Sequence, residues 1–460
     1  MGKNKVIKNG MCIFSLALLT IAFRVPYLIN PVVFNSDHAV VGLQGLEILK
    51  GHRSWYLWGV GYQSSLESLL TAFYYRLFGF SHYALAVVGI IGFLVVVISE
   101  FYSLRRVTGS GRAFVLSCFA IPSAMAVTQI TVFPPRVWAL STVFLAVLFL
   151  SGRSKASIGL GAFLAFVALY IDYYVIQLLP GVLIYGHIQT QIDSINKRFF
   201  RVGAIAGALF LLLCRFFRPE GGVPLAFSPK IFLKNVPLFL REALPALIGS
   251  HPTLYNLNAN SSELAWVAKG IATIFAILII VSTFKILGRK NSPALGVVGV
   301  LGTTVSLVAF WGSSMASDVH SVRYLGVICW LLPFSLLPVA NVMSRRLFWG
   351  VFPPLLIGWS LVGWNTYYPL VRNFKPVRTA RGNAFEELKV IDELRKRGVS
   401  VAVADYWTSY RLSLLSFNHP LIVPTEQGLN RYSPYWERFQ QERQKFRIVE
   451  KTEKFTIELN

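Results

Sequence analysis

From Asn35 to Leu70 the chain reads NSDHAVVGLQGLEILKGHRSWYLWGVGYQSSLESLL, a stretch that gathers Asp37, His38, Glu47 and Glu67. The next acidic residue is Glu100. A carboxylate positioned at a water boundary can take a proton from a hydroxyl group. A carboxylate at the start of a helix can instead accept from orphan backbone N–H groups. Asp37 stands where both roles are open, because Ala39, Leu43, Leu46 and Leu49 recur at helical spacing and predict a helix over 38–50. Asn35, Ser36 or Asp37 could cap that helix. The two roles oppose each other, since capping stabilises the anion, lowers the pKa and weakens the base.

A second helix is predicted over 66–80, LESLLTAFYYRLFGF. Leu66, Leu69, Leu70, Phe73 and Leu77 share one face, while Glu67, Ser68, Thr71 and Arg76 lie off it. It is too short and one-sided to cross a bilayer, so it is expected to lie on the membrane. Other groups with chemical potential are scattered. Arg24 sits late in the first apolar run, where its stem allows snorkelling to the interface. Arg136 follows Phe-Pro-Pro, Asp172 precedes two tyrosines, and His251 lies in a long polar segment. SDVHSVRYLG brings Asp318, His320, Arg323 and Tyr324 to the mouth of a late apolar run. Asp318 and Arg323 could equally form a local ion pair there. No Ser/His/Asp order, phosphate-binding glycine loop, dinucleotide fingerprint or zinc motif is present. No metal site and no cofactor are expected.

The elements that must position these groups are membrane spans. Of 460 residues, 54% are hydrophobic and 14% charged, against about 45–50% and about 25% in soluble domains. This implies a polytopic membrane protein and excludes a soluble enzyme with one anchor. The net charge is 44 − 21 = +23. Many of the cations sit in short loops between apolar runs, so they read as topology signals and imply no nucleic acid partner. Cys12, Cys118, Cys214 and Cys329 lie inside apolar runs without metal-ligand spacing, which argues against a disulfide framework. No small-residue cleavage site clearly follows the first run, which is expected to remain as a span.

At about 20 residues per span, eleven candidates fall near 11–31, 83–104, 113–132, 137–151, 156–172, 174–189, 199–217, 264–286, 293–313, 323–342 and 347–366. With 66–80 on the surface, Lys8, Arg105, Arg106, Arg112, Lys155, Arg198, Arg201, Arg345 and Arg346 all fall on one side, as the positive-inside rule requires. The expected organisation is a membrane domain over 1–366, with a first outer loop at 32–82, and an extracytoplasmic α/β domain over 367–460. A further outer piece is expected at 218–263. In the tail, GNAFEELKVIDELRKRG has helix punctuation, with Asn383 as N-cap and Gly398 after the last turn. VSVAVADYW and PLIVP read as strands around a helix at SYRLSLLSF.

SDHAVVGLQGLEILKG followed by W…GVGYQSSLESLLTAFYYRLFGFSHYAL resembles the first outer loop of the C-type membrane glycosyltransferases. These include the protein O-mannosyltransferases, the lipid A aminoarabinose transferases and their bacterial relatives. SVRYLGVICWLLPFSLLPVA is similar to their late Arg-Tyr-Leu span, and ADYWTSYRLSLLSF…RYSPY to the tail of one bacterial subgroup. The resemblance implies a transferase using a polyprenyl-phosphate-linked sugar at the extracytoplasmic face of the plasma (inner) membrane. Asp37 occupies the place of the family's catalytic Asp. His38 stands where many relatives carry Glu, which argues against a second carboxylate or a divalent metal there. An anionic leaving phosphate needs cations, for which Arg323, Arg136 and Arg24 are candidates. His38, Glu67, Asp172, Tyr324 and His251 are further site candidates, and the two surface helices would hold the lipid tail. The partners implied are the lipid-linked donor, membrane lipids and an acceptor that is a glycan, lipid or protein. A flippase of lipid-linked sugars and a non-catalytic relative are the competing readings, though no internal repeat supports the flippase.

Overall fold

The computed structural model describes the chain outside residues 1–2, 26–27, 29–33, 124–135, 153, 192–193, 220–225, 249–261, 289–292, 315, 317–318, 373–383, 427–429, 443–445, 452–453 and 460. The membrane part comprises α1 (Lys3–Ala22), α2 (Ser36–Leu49), α3 (Leu66–Phe78), α4 (Tyr83–Thr108), α5 (Ser110–Cys118), α6 (Arg136–Leu150) and α7 (Lys155–Ile171). It continues through α8 (Leu179–Thr190), α9 (Ser194–Arg215), α10 (Pro229–Leu238), α11 (Ser262–Gly288), α12 (Gly296–Gly312), α13 (Val327–Val342) and α14 (Arg345–Arg372). Among the described residues, α1, α4 to α9 and α11 to α14 fall at the eleven predicted spans. Four helical stretches, at Tyr83–Thr108, Leu264–Gly288, Ser321–Val342 and Arg345–Asn365, are long and apolar enough to cross a membrane unaided. The piece at 218–263, expected only as a loop, contains α10. Ser228 caps it through a 3.2 Å bond from the Ile231 N–H, and Asn235 ties it to the Trp311 and Ser313 carbonyls at the end of α12.

The tail folds as α15 (Ala384–Lys396), β1 (Val401–Ala404), α16 (Tyr406–Leu415), β2 (Leu421–Pro424), α17 (Ser433–Gln441), β3 (Phe446–Lys451) and β4 (Lys454–Leu459). Its sheet has the order β2-β1-β3-β4, parallel except for the β3–β4 hairpin. Gly398 has φ +69°, as the residue after a helix end should. Asn383, its predicted N-cap partner at the other end, lies outside the described residues.

Two apolar cores result. One fills the helix bundle. The other joins Val40, Val41, Leu43 and Leu46 of the first outer loop to Ile391, Tyr410, Leu412 and Leu414 of the tail. This corrects the expectation that α2 lies on the membrane. Ser36 and every residue from His38 to Glu47 are buried, because α2 is packed on two sides. A Cβ at Gly42 would stand 2.8 Å from the Leu414 methyls of α16, and one at Gly45 would stand 3.2 Å from the Ser68 carbonyl of α3. Side chains there would push the neighbouring helices away. The fate of α3 is the opposite. Leu69, Phe73, Leu77 and Phe78 are exposed, while Glu67, Ser68, Thr71 and Tyr75 are buried. Its polar face meets protein and its apolar face is exposed.

Candidate functional site

Asn35, in an extended conformation, caps α2 by accepting from the His38 N–H at 2.9 Å. Asp37 is thereby free of the capping role. Its Oδ1 accepts instead from the Tyr406 hydroxyl at 2.8 Å and from Arg431 Nη2 at 2.6 Å, two groups of the tail. The pair is half-sheltered, with side-chain exposures of 32% for Asp37 and 19% for Arg431. Burial alone would lower the Arg431 pKa, but Asp37 and the phenols of Tyr406, Tyr62 and Tyr410 more than offset it, and the pKa is raised. The Tyr406 phenol is pushed well up, by burial first and by Asp37 second, so it remains a neutral donor. The segment around Arg431 is clamped by the first loop. Trp58 stacks on Tyr432 with ring centroids 4.0 Å apart. Gly59, at φ +67°, lies so close that a Cβ would stand 2.9 Å from Arg431 Cγ; here only glycine satisfies both the backbone and the space.

A second ion pair closes the bundle beneath. Arg136, the first residue of α6, places Nε 3.5 Å from Asp172 Oδ2. Asp172 also accepts from Gln63 Nε2 at 3.0 Å and from the Tyr174 N–H at 2.8 Å. The Arg136 guanidinium lies 4.6 Å over the Tyr174 ring and 5.4 Å over that of Tyr324. Arg323 Nη2 donates to the Tyr324 hydroxyl at 3.1 Å. The Tyr174 hydroxyl accepts from the Val327 N–H at 3.0 Å, locking the start of α13 to the same spot.

The first loop connects the two pairs. Ser64 N–H donates to the Ile171 carbonyl and Tyr173 N–H to the Tyr62 carbonyl, so the loop is stitched to the end of α7. The Tyr62 phenol, its pKa raised mainly by burial, feels the charges of Arg136, Asp172, Arg431 and Asp37 together. A third pair lies between α2 and α3, where His38 Nε2 is 3.7 Å from Glu67 Oε1 and both side chains are 1% exposed. Burial raises the Glu67 pKa; His38 opposes this and Asp172 adds to it. Thr71 Oγ1 and Tyr75 OH are likewise buried without hydrogen-bond partners among the described residues.

Asp37, His38, Glu67, Arg136, Asp172, Arg323 and Tyr324 are therefore drawn into three linked clusters. Arg24 is not placed with them: it is 1% exposed, donates to the Ile121 carbonyl at 2.8 Å and stacks 4.0 Å over Phe93. It does not snorkel. His251 and Asp318 lie outside the described residues. Four residues escaped the sequence reading: Tyr406, Arg431, Tyr62 and Gln63. Tyr406 and Arg431 fall within the ADYW and RYSPY segments, whose likeness to a tail was noticed without any sign of where the tail docks. Among the described residues no cluster of three or more His, Cys, Asp or Glu could hold a metal ion.

The many-helix bundle, with its helical first outer loop and terminal α/β layer, is similar in fold to solved structures. The likeness is borne by ArnT from Cupriavidus metallidurans bound to undecaprenyl phosphate, at TM-score 0.58 and 11% identity over 95% of this chain and 92% of that one. The Archaeoglobus fulgidus oligosaccharyltransferase in complex with Zn and sulfate is similar at TM-score 0.50 and 13% identity, over 89% of this chain and 62% of that one. At such identities the likeness is one of fold. No protein-family model matches the chain, and no curated protein matches it in sequence.

Proposed function

We propose that the protein is an integral membrane glycosyltransferase that moves a sugar from a polyprenyl-phosphate-linked donor to an acceptor hydroxyl on the extracytoplasmic face. The observation that carries this reading is the state of Asp37. Its helix is capped by Asn35, and both of its described hydrogen bonds fall on Oδ1, which leaves Oδ2 for an acceptor. Tyr406 and Arg431 fix the orientation of the carboxylate. In the reaction Oδ2 takes the hydroxyl proton, the acceptor oxygen attacks the anomeric carbon, and the bond from that carbon to the phosphate oxygen breaks. The polyprenyl phosphate leaves with one more negative charge, for which Arg136 and Arg323 are the candidate partners. The exposed apolar face of α3 supplies a bed for the lipid. The similar fold of ArnT, solved with undecaprenyl phosphate, supports this donor class, and the positive-inside pattern supports the outer location.

Glu67 is too deeply buried to touch an acceptor, so we assign it and His38 to positioning α2 against α3. The test is direct: incubate the purified protein in lipid nanodiscs with polyprenyl-phosphate sugars and candidate acceptors, and measure the polyprenyl phosphate released. Release that Asp37→Asn abolishes is the expected result. Absence of release with every donor, or release that Asp37→Asn leaves intact, overturns the proposal.

A further inference from the structure

The tail contains a crevice of about 430 Å³ that the reaction above does not use, lined by Asp405, Trp407, Thr408, Thr425, Arg447 and Ile448. Its position follows from the topology. β1 ends at Ala404 and β2 at Pro424, in register, and β3 runs parallel to β1 on its other side. Asp405 and Thr425 are the next residues beyond the first two strands, and Arg447 and Ile448 lie beside the end of β1. The chain leaves β1 in one direction to reach β2, then crosses back to β3. Connections that depart to opposite sides part the loops above the carboxyl ends of the strands, which is where open α/β sheets take ligands.

The chemistry of the lining narrows the ligand. The backbone donors at the start of α16 are already taken, because Asp405 Oδ1 accepts from the N–H groups of Trp407 and Thr408 at 2.8 and 3.2 Å. What remains is side chains: an indole that is 36% exposed, an exposed guanidinium, the second oxygen of the Asp405 carboxylate and two threonine hydroxyls, of which that of Thr425 already donates to the Ala404 carbonyl. A flat apolar ring beside a fork of donors and an anionic acceptor matches a sugar ring, which has a C–H face and a rim of hydroxyls. A purely apolar ligand would strand the polar wall.

The crevice also touches the site around Asp37. The Trp407 ring meets that of Tyr406 edge-on at 5.0 Å, and the Tyr406 hydroxyl is bonded to Asp37. The Ser36 hydroxyl donates to the Trp407 carbonyl. One turn of α16 thus faces Asp37 with one residue and the crevice with the next.

We propose that this crevice is a saccharide subsite that holds an acceptor glycan, with Trp407 stacking on a sugar ring and Arg447 and Asp405 gripping its hydroxyls. Saccharide binding stands independently; only its role as acceptor rests on the proposed glycosyl transfer. The test uses the full chain in nanodiscs, because sugar-headed detergents would compete. Glucose, N-acetylglucosamine, galacturonate, maltose and chitobiose are titrated by calorimetry, and tryptophan emission is compared between the wild type and Trp407→Phe. At least one probe should bind saturably and alter emission in the wild type alone. Arg447→Ala should weaken it about tenfold, roughly the loss of one good polar contact. No binding by any of the five probes, or binding that neither Arg447→Ala nor Trp407→Ala weakens, overturns the subsite. If donor turnover proceeds while none of the sugars binds, this subsite alone falls. If a sugar binds with the expected sensitivity and no donor is turned over, the saccharide site stands and the transferase reading falls.

Discussion

Asp37 and Asp172 each face an arginine, yet their surroundings differ in every respect that matters for reactivity. Asp37–Arg431 joins two parts of the chain 394 residues apart, is partly open to water and uses one carboxylate oxygen. Asp172–Arg136 lies inside the bundle, at 1% and 10% side-chain exposure, with both carboxylate oxygens bonded. An open pair can exchange a partner for a substrate at little penalty, because water compensates during the exchange. A sealed pair cannot, since removing one member strands a charge in a poor solvent. Under the proposed function, the contrast suits the first pair to exchanging partners with a substrate and leaves Asp172 to hold Arg136 in place.

The sharpest way to break this division is Asp37→Asn. Asn keeps the shape, and Asn35 rather than Asp37 caps the helix, so the protein should fold and bind donor while the turnover rate falls on the order of 10²–10⁴-fold. Turnover near that of the wild type would move the base elsewhere. The next effect compares the two arginines in denaturation experiments. Arg136→Ala should destabilise by about 3–5 kcal/mol, the usual outcome of stranding a buried partner. Arg431→Ala should cost about 1 kcal/mol or less, as for pairs open to solvent. Equal losses would erase the distinction.

Arg323→Ala should weaken donor binding about tenfold, the scale of one charge-assisted contact, with little change in melting temperature. Unfolding of the variant, or unchanged donor affinity, would make Arg323 structural. A smaller effect concerns Glu67, whose folded pKa lies above its usual value because burial favours the neutral acid. Stability from the protonated form is fully present below the ordinary pKa of Glu and is lost as pH rises through the folded value. Glu67→Gln mimics the neutral acid, so its melting temperature relative to wild type should climb as pH rises from acidic to neutral. A pH-independent difference would show that Glu67 is not held protonated. The smallest expected effect is that of EDTA, which should leave turnover unchanged, since the described side chains offer no ligand cluster. Loss of activity restored by Mn²⁺ would reverse that.

The helices of the bundle were legible because apolar runs carry their own signal, and α3 because its two faces differ. The polarity of α3 also told apart its two faces, the apolar one exposed and the polar one buried. The burial of α2 was misjudged from one stripe, Ala39, Leu43, Leu46 and Leu49. Val40, Val41, Gly42 and Gly45 widen the apolar and small surface well beyond that stripe, and the buried Gln44 is satisfied by the Tyr56 carbonyl and the Ser68 hydroxyl, so the helix can lie inside. Arg431 and Tyr406 were beyond reach for another reason. A contact across nearly the whole chain leaves no local period, and an Arg in a soluble segment looks like any surface charge until the docking is known. Likewise α17, β3 and β4 are short and rich in charged residues, so neither period nor punctuation announced them.

The core shared by the first loop and the tail has a consequence for the order in which the molecule can be completed. Val40, Val41, Leu43 and Leu46 are made well before Tyr410, Leu412 and Leu414, which cover them. At ordinary rates of translation the interval is roughly tens of seconds. Throughout it the loop must wait with its apolar surface uncovered. A chain cut short before α15 would strand that surface for good, so quality-control proteases should recognise such truncations quickly, and the cluster around Asp37 cannot form until the segment carrying Tyr406 and Arg431 has been made and docked.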